Sequence, residues 1–243
     1  MRGYVGAAPI GIPTNGLVAY FPFRENALNH GPSGLPFSTI TANHNTNGKY
    51  GGAYNFTPSQ HMRTVSTTEF SLQTLTIGYW YYMDQLVDGK YNNGVASGQI
   101  GQAAGKYNYQ LSVHSTGLVL GASNGSSHQN ILNPMTAYGG VSSVFLGKWN
   151  FLSGTISGGV GTLFLNCSQI EQKTLYVPAT TSRELVVGYH DNSPLSGYTR
   201  ICEITLYNRV LTPGEMESVA MGTFARGVMS LDEHYDAKMR GDL

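Results

Sequence analysis

The carboxylates of this chain are few and scattered, which bears on whether it can cut a glycosidic bond. A retaining glycoside hydrolase holds two carboxyl groups about 5 Å apart. Acids at alternating positions of one strand meet this requirement because they lie on the same face. No predicted strand carries such a pair, and no nucleophile elbow, phosphate loop or His-Glu-x-x-His motif occurs. The sequence therefore predicts that the protein is not an enzyme. The acids before residue 222 are Glu25, Glu69, Asp84, Asp88, Glu171, Glu184, Asp191, Glu203, Glu215 and Glu217.

Residues that could hold a metal are also sparse. Calcium takes six to eight oxygen ligands, several of them carboxylates, and the best loop candidates are Asp84 with Asp88 and the run His190-Asp191-Asn192. The alternative is ordinary turn chemistry, in which Asp and Asn bond to their own backbone. The two cysteines, Cys167 and Cys202, lack the clustered histidines of a zinc site. The sequence predicts no cofactor, with calcium as an unfavoured alternative.

Tyrosine and amide side chains in predicted loops are the best candidates for ligand contact. A sugar-binding surface needs an exposed aromatic ring beside amide, hydroxyl or carboxylate groups. The alternative is that most tyrosines pack in the core with the hydroxyl at its rim. Trp80 and Trp149 lie in strand patterns and are predicted core residues. The candidate glycan-binding residues are Tyr91, Asn92, Asn93, Tyr107, His128, Tyr138, His190, Asp191 and Asn192.

The composition fits one large β-rich domain. The chain has 243 residues with 31 glycines, 16 tyrosines, only 12 % charged residues and a net charge of zero. Without a basic stripe, binding of nucleic acid is not expected. No apolar run is long enough to cross a bilayer, and the first residues lack the apolar core of a secretory signal, so neither membrane insertion nor export is predicted.

Strand patterns place many of these residues. In residues 75–82, Leu75, Ile77, Tyr79 and Tyr81 face one way while Trp80 and Tyr82 face the other, which is typical of a central strand. Residues 109–113 and 118–121 predict a hairpin. A further hairpin tip is predicted at Asn166-Cys167.

The stretch 201–221 predicts a last strand followed by a helix. Alternation over residues 201–207 puts Cys202, Ile204 and Leu206 on one face, with Glu203 and Thr205 on the other. Cys202 is then a buried free thiol. The run Thr-Pro-Gly-Glu at 212–215 is a capping box with proline at the first helical position, which predicts a short helix from about residue 213 to 221.

Several blocks resemble one known family. They are Gly-Leu-Val-Ala-Tyr-Phe-Pro-Phe at 16–23, Gly-Lys-Tyr-Gly-Gly-Ala-Tyr-Asn-Phe at 48–56, Lys-Trp-Asn-Phe-Leu-Ser-Gly-Thr at 148–155, and the strand and cap at 201–216. Their order resembles that of laminin-G-like domains of the concanavalin A-like lectin/glucanase superfamily. The resemblance implies an all-β fold, a concanavalin A-like (laminin-G-like) antiparallel β-sandwich jelly roll with one short C-terminal helix, over residues 16–221. Relatives often carry an acid where this chain has Cys202, which weakens the expectation of calcium.

The segments outside the sandwich are expected to attach it to partners. Residues 1–15 resemble the N-terminal arms of tailed-phage fibre and appendage proteins. Residues 222–243 form a charged tail that is either a short helix or extended docking segment, or simply a solvated tail. The resemblance implies docking on other virion subunits through the arm and a homo-oligomer on the particle. The expected docking residues are Tyr4, Val5, Pro9, Ile10, Ile12 and Pro13.

These expectations combine into one functional hypothesis and two alternatives. The first is a non-enzymatic virion protein, a capsid decoration or tail-appendage module made in the host cytoplasm, whose lectin-like sandwich contacts host surface glycans. The second is a stand-alone carbohydrate-binding module. The third and least favoured is a diverged glycosidase.

Overall fold

The computed structural model describes residues 12–89, 91–98, 107–188 and 198–221. Two α-helices are found there, α1 (Val141–Phe145) and α2 (Pro213–Met221), with a 3₁₀ helix over Thr136–Tyr138. The strands are β1 (Leu17–Phe21), β2 (Phe37–Ile40), β3 (Asn43–Gly48), β4 (Gly51–Phe56), β5 (His61–Thr64), β6 (Leu75–Gln85), β7 (Tyr91–Gly98), β8 (Tyr107–His114), β9 (Gly117–Ser123), β10 (His128–Asn133), β11 (Trp149–Ser157), β12 (Val160–Leu165), β13 (Ser168–Thr174), β14 (Leu185–Gly188) and β15 (Tyr198–Tyr207).

The strands form two antiparallel sheets. The eight-stranded sheet has the order β13-β12-β11-β6-β15-β4-β3, and β1 also pairs with β15. The seven-stranded sheet has the order β10-β9-β8-β7-β14-β5-β2. The predicted antiparallel sandwich with one helix after its last strand is confirmed.

The two sheets enclose a core that is rich in tyrosine. Tyr79 and Tyr81 on β6 are fully buried and point at the opposite sheet. The hydroxyl of Tyr79 donates to the carbonyl of Leu111 at 2.8 Å, and that of Tyr81 donates to the carbonyl of Asn92 at 2.5 Å. Both hydroxyls therefore find the partner that a buried polar group requires. The predicted faces of this central strand are confirmed.

Helix α2 covers part of the outer surface of the eight-stranded sheet. Its buried residues include Met216 and Ala220, and the indole nitrogen of Trp80 donates to the carbonyl of Ala220 at 3.3 Å. The predicted capping box is present, because Glu215 N donates to Thr212 Oγ1 at 3.3 Å and Thr212 N donates to Glu215 Oε2 at 2.9 Å. Arg209 adds two hydrogen bonds to the Glu215 carboxylate, at 2.9 and 2.6 Å.

A β-bulge interrupts β15 and overturns its predicted alternation. Cys202 pairs with Trp80 and Thr205 with Gly78, so Glu203 and Ile204 together lie opposite one residue of β6. Glu203 has a φ of +55°, a left-handed conformation that such bulges usually assign to glycine. The bulge places Cys202 on the outer face and Ile204 on the inner face. The prediction that both lie on one face is wrong because one extra residue reverses the period of two.

Glu203 itself is buried, contrary to the expectation for a charged residue on a strand. Its side chain is 2 % exposed. Its carboxylate accepts a hydrogen bond from the hydroxyl of Tyr20 at 2.5 Å and from Nε of Arg24 at 2.9 Å. A buried carboxylate is tolerated when it is paired and hydrogen-bonded in this way.

The two cysteines behave as predicted. Cys202 is a fully buried free thiol, and burial raises its pKa. Cys167 is a half-buried free thiol at the turn between β12 and β13, where Asn166 and Cys167 both have positive φ values of 48° and 67°. Two consecutive left-handed residues are the mark of a tight hairpin turn.

Ile12, one of the predicted docking residues, lies inside the chain's own core. Its side chain is 5 % exposed and clusters with the buried residues of the sandwich. It is therefore not available to a partner subunit, and the expectation for this residue is corrected. Pro13 is half-buried.

Glu203→Ala should destabilise the fold by about 3–5 kcal/mol, because it removes the buried carboxylate that pairs with the partly buried guanidinium of Arg24 and accepts from the Tyr20 hydroxyl. Alanine is as strained as glutamate in the left-handed backbone conformation, so the measured change in stability reports the lost side-chain contacts. The free energy of unfolding in urea measures the effect. Glu69→Ala, at an exposed glutamate, is the control, and equal stability of the two variants would contradict this role of Glu203.

Glu215 should make the stability depend on pH in the acid range. Hydrogen bonds from Arg209, together with those from Thr212, lower the pKa of Glu215 from 4.5 to about 2. A lowered pKa stabilises the folded state above pH 4.5, and this contribution is lost as the pH falls from 4.5 through 2. Glu215→Gln should therefore lower the Tm most above pH 4.5, with a difference from the parent that shrinks towards pH 2. Glu217→Gln, on the same helix, is the control for loss of a carboxylate; a difference for Glu215→Gln that is constant with pH would refute the assignment.

Candidate functional site

Tyr91, Asn92 and Asn93, three consecutive residues predicted to bind glycans from a loop, lie in a strand instead. Tyr91, Asn92 and Asn93 begin β7, where Asn92 and Asn93 are fully buried. The amide of Asn92 bonds to both the N–H and the carbonyl of Val87, at 2.8 and 3.2 Å, and the amide of Asn93 donates to Thr199 Oγ1 at 2.7 Å. The two amides therefore hold backbone and strands together, and their predicted loop position is wrong.

The other predicted residues are spread over the chain. Tyr138 is 48 % exposed on the 3₁₀ helix, whereas Tyr107 and His128 lie in strands β8 and β10. Their glycan-binding role stays a prediction. Outside the described residues lie His190, Asp191 and Asn192, the arm residues Tyr4, Val5, Pro9 and Ile10, and the side chain of Tyr91.

Tyr107 and His128 do come together on the front face, the outer surface of the seven-stranded sheet. A bulge at Asn108 turns Tyr107 to this face, and its ring centroid lies 6.3 Å from that of His128. The Tyr107 hydroxyl and the Gln110 amide donate to Oδ1 of Asn130 at 3.1 and 3.5 Å. Tyr107 and Gln110 are fully buried, so this network is not an open surface.

The rest of the front face over β7, β8 and β9 is also closed. Ala96 and Val119, whose side chains share this face, are 0 % and 3 % exposed and cluster apart from the main core. Ser112, beside them on β8, is fully buried as well. An incoming sugar would find few exposed groups here.

An exposed alternative is the cross-strand row on the outer surface of the eight-stranded sheet. The row consists of Trp149, Tyr82, Arg200, Asn55 and Asn43, which follow one another in register across β11, β6, β15, β4 and β3. All five side chains point to the same face because directly paired residues share a face. Asn43 is exposed and the other four are half-buried.

The neighbouring row explains why the cross-strand row is open. The neighbouring row lies two positions further along the same strands and consists of Phe151, Trp80 and Cys202. All three are buried on the side of the sheet that α2 covers. The cross-strand row lies beyond these residues and outside the part of the sheet that α2 covers.

Aromatic rings and a guanidinium form the centre of the cross-strand row. The ring centroids of Tyr82 and Trp149 are 5.4 Å apart at an angle of 52°, and the guanidinium carbon of Arg200 lies 4.5 Å from the centroid of Tyr82. This distance is within the range of a cation–π contact. The result is a surface with flat aromatic area beside hydrogen-bond donors, which is what sugar binding requires.

Asp84 fixes the position of Arg200. A bulge in β6 leaves Asp84 without a partner residue between Met83 and Gln85, which pair with Thr199 and Tyr198. Nε of Arg200 donates to Asp84 Oδ2 at 3.2 Å, and Nη2 of Arg200 donates to Oδ1. Asp84 thus acts as the partner of an arginine in a fork-to-fork pair.

The sequence missed this site for two reasons. Trp149 is half-buried at the margin of the sheet and not in the core as predicted. The pairing of β11 with β6 and of β6 with β15 joins residues that are more than 60 positions apart in the chain. The sequence did contain one signal for this site, namely the alternation over residues 75–82, which predicted that Tyr82 points away from the core.

In residues 12–89, 91–98, 107–188 and 198–221, no three His, Cys, Asp or Glu side chains form a group that could hold a metal ion. None of the helices in this part of the chain has the length and apolarity needed to cross a membrane.

Several solved structures with a similar fold are binding domains of clostridial toxins. The binding domain of Paraclostridial Mosquitocidal Protein 1 superposes with a TM-score of 0.67 at 14 % identity, over 84 % of this chain and 51 % of that chain. The botulinum neurotoxin serotype D binding domain gives 0.65 at 13 %, over 89 % and 54 %. The serotype D ligand binding domain in complex with N-acetylneuraminic acid gives 0.65 at 13 %, over 88 % and 52 %. This chain thus spans about half the length of these structures, and identities this low show the fold alone.

Sequence comparison assigns the family. A search of the curated protein sequences found no match. Residues 56–217, about two thirds of the chain, match the family Laminin_G_3. The chain therefore belongs to this family of the concanavalin A-like lectin/glucanases superfamily.

Proposed function

We propose that this protein is a non-enzymatic interaction module that binds glycans through the cross-strand row. The observation that carries the proposal is the half-exposed pair of rings at Trp149 and Tyr82 beside the guanidinium of Arg200. Sugar rings stack their C–H faces on such aromatic surfaces, while their hydroxyls bond to the neighbouring donors and acceptors.

The pairing of the carboxylates supports a role without catalysis. Glu203 is bound to Arg24, Asp84 to Arg200 and Glu215 to Arg209. A glycosidase needs two carboxyl groups that face each other across a substrate. In the described part of the chain these three acids face arginines instead.

The structural relatives support a binding role. Two of them are named as toxin binding domains, and a third was solved with N-acetylneuraminic acid. Their fold is shared by this chain, but the location of a sugar site is not transferred at such low identity.

Trp149→Leu should abolish or weaken glycan binding by at least about tenfold, or 1.4 kcal/mol, because leucine keeps an apolar side chain but removes the flat ring. A glycan array identifies ligands of the parent protein, and titration calorimetry compares the variants. Urea unfolding establishes that the variant is folded.

Tyr138→Leu is the matched control, since Tyr138 is an exposed aromatic residue outside the cross-strand row. Loss of binding in this variant, with binding retained in Trp149→Leu, would move the site to the predicted loop residues. Hydrolysis of an arrayed glycan would instead favour the diverged glycosidase.

Attachment to a virion is the second part of the proposal. It is supported by the resemblance of residues 1–15 to the arms of tailed-phage appendage proteins. Because Ile12 is buried in the core, the docking segment in this proposal ends at residue 11. In this proposal the arm binds other virion subunits and the sandwich contacts host glycans.

Deletion of residues 2–11 should abolish incorporation into particles and leave both the Tm and glycan binding unchanged. Incorporation is measured by mass spectrometry of purified particles. A matched variant that keeps the arm but carries Trp149→Leu should still be incorporated. Unchanged incorporation after the deletion would leave the stand-alone carbohydrate-binding module as the better description.

A further inference from the structure

The length of the cross-strand row limits what can fill it. The row crosses five neighbouring strands, from β11 to β3. Strands in a sheet are about 4.8 Å apart, so four spacings span about 19 Å. A single sugar ring covers only a fraction of that distance, whereas a linear chain of several sugars can extend along all of it.

The chemistry changes along the row in a way that suits successive sugar units. Trp149 and Tyr82 offer stacking surfaces at one end. Arg200 with Asp84 offers a donor and an acceptor in the middle. At the other end Asn43 offers an exposed amide, while Asn55, in register with it, is half-buried with its Oδ1 atom closed to solvent. The row therefore provides ring faces at one end and polar groups in the middle and at the other end.

The row holds little net charge. The guanidinium of Arg200 is neutralised by Asp84, with which it shares two hydrogen bonds, and it also lies over the ring of Tyr82. Lys148, next to Trp149 in sequence, is not part of the row, and its ammonium group donates to the carbonyl of Ser143 at 2.8 Å. Arg200 thus has N–H groups that can donate to sugar hydroxyls. Its positive charge is already paired with Asp84 and is not available to the carboxylate of an acidic sugar.

We infer that the ligand of the cross-strand row is an extended, uncharged oligosaccharide that lies across the strands, with one end stacked on Trp149 and Tyr82. This inference rests on the proposed function and specifies its ligand. A terminal acidic sugar such as N-acetylneuraminic acid would use only one part of the row and would meet no free cation in the row.

The test compares sugars of increasing length. Cello-, chito-, manno- and malto-oligosaccharides of two to six units, and sialyllactose, are titrated against the full chain. For at least one neutral series the affinity should rise by about tenfold or more from the disaccharide to the tetrasaccharide and then level off. Sialyllactose should bind more weakly than the best neutral trisaccharide.

Variants at the two ends of the row should have different effects. Trp149→Leu should weaken every length, because it removes the stacking end that all lengths use. Asn43→Ala should lower the affinity of the long sugars to that of the disaccharide and leave the disaccharide unchanged. Asn47→Ala is the control, since Asn47 is an exposed asparagine on the same strand outside the row.

The outcomes separate this inference from the proposed function. The inference would be overturned by an affinity that is independent of sugar length, by a lack of binding to every neutral series, or by tightest binding of sialyllactose. In each of these cases the proposed function is still supported if Trp149→Leu loses the glycan binding that the parent protein shows. If Trp149→Leu binds every glycan as well as the parent does, the proposed function fails, and the inference fails with it.

Discussion

The buried ion pair at Glu203 is the constraint on which the exposed site depends. Strand β15 pairs with β4 through residues 199–201 and with β1 through residues 204–207, and the bulge lies between these two pairings. If β15 alternated without interruption, the face that holds Ile204 and Leu206 would also hold Arg200, which would then point into the core. The bulge sends Arg200 to the outer face instead. Tyr20 and Arg24 bind the carboxylate of Glu203, the left-handed residue of this bulge.

Local patterns in the sequence predicted the elements well. The period of two gave β6 and its faces, the Thr-Pro-Gly-Glu run gave α2 with the bounds Pro213–Met221, and Asn166-Cys167 gave a hairpin turn. In each case the cause lies within a few residues along the chain. The bulge at Glu203 has no such local cause, because Tyr20 and Arg24 are 183 and 179 positions away. A charged residue in a strand is normally expected to face solvent, and only the tertiary partners reverse that expectation.

The predicted glycan-binding residues show the same limit, which is that local sequence does not indicate tertiary contacts. Asn92 and Asn93 have the chemistry to bind a sugar, but their amides satisfy the backbone of Val87 and the hydroxyl of Thr199. Tyr107 turns to the front face because of a bulge and is then buried in a network with Asn130. Residue type indicates what a side chain can bind, whereas exposure decides whether a ligand can reach it. Exposure depends on sheet register and on cover from other elements, which a short sequence window does not contain.

The cross-strand row also differs in kind from a site built on loops. Its residues lie on five strands of one hydrogen-bonded sheet, so their spacing is set by the ladder and not by loop conformation. Arg200 is further restrained by Asp84 and by the ring of Tyr82. A preorganised surface loses little conformational entropy when a ligand binds, which matters for sugars because each contact is weak. The same rigidity ties recognition to folding, since the side chains of the row keep their common face only while the bulges at Glu203 and Asp84 keep the register of β15 against β6.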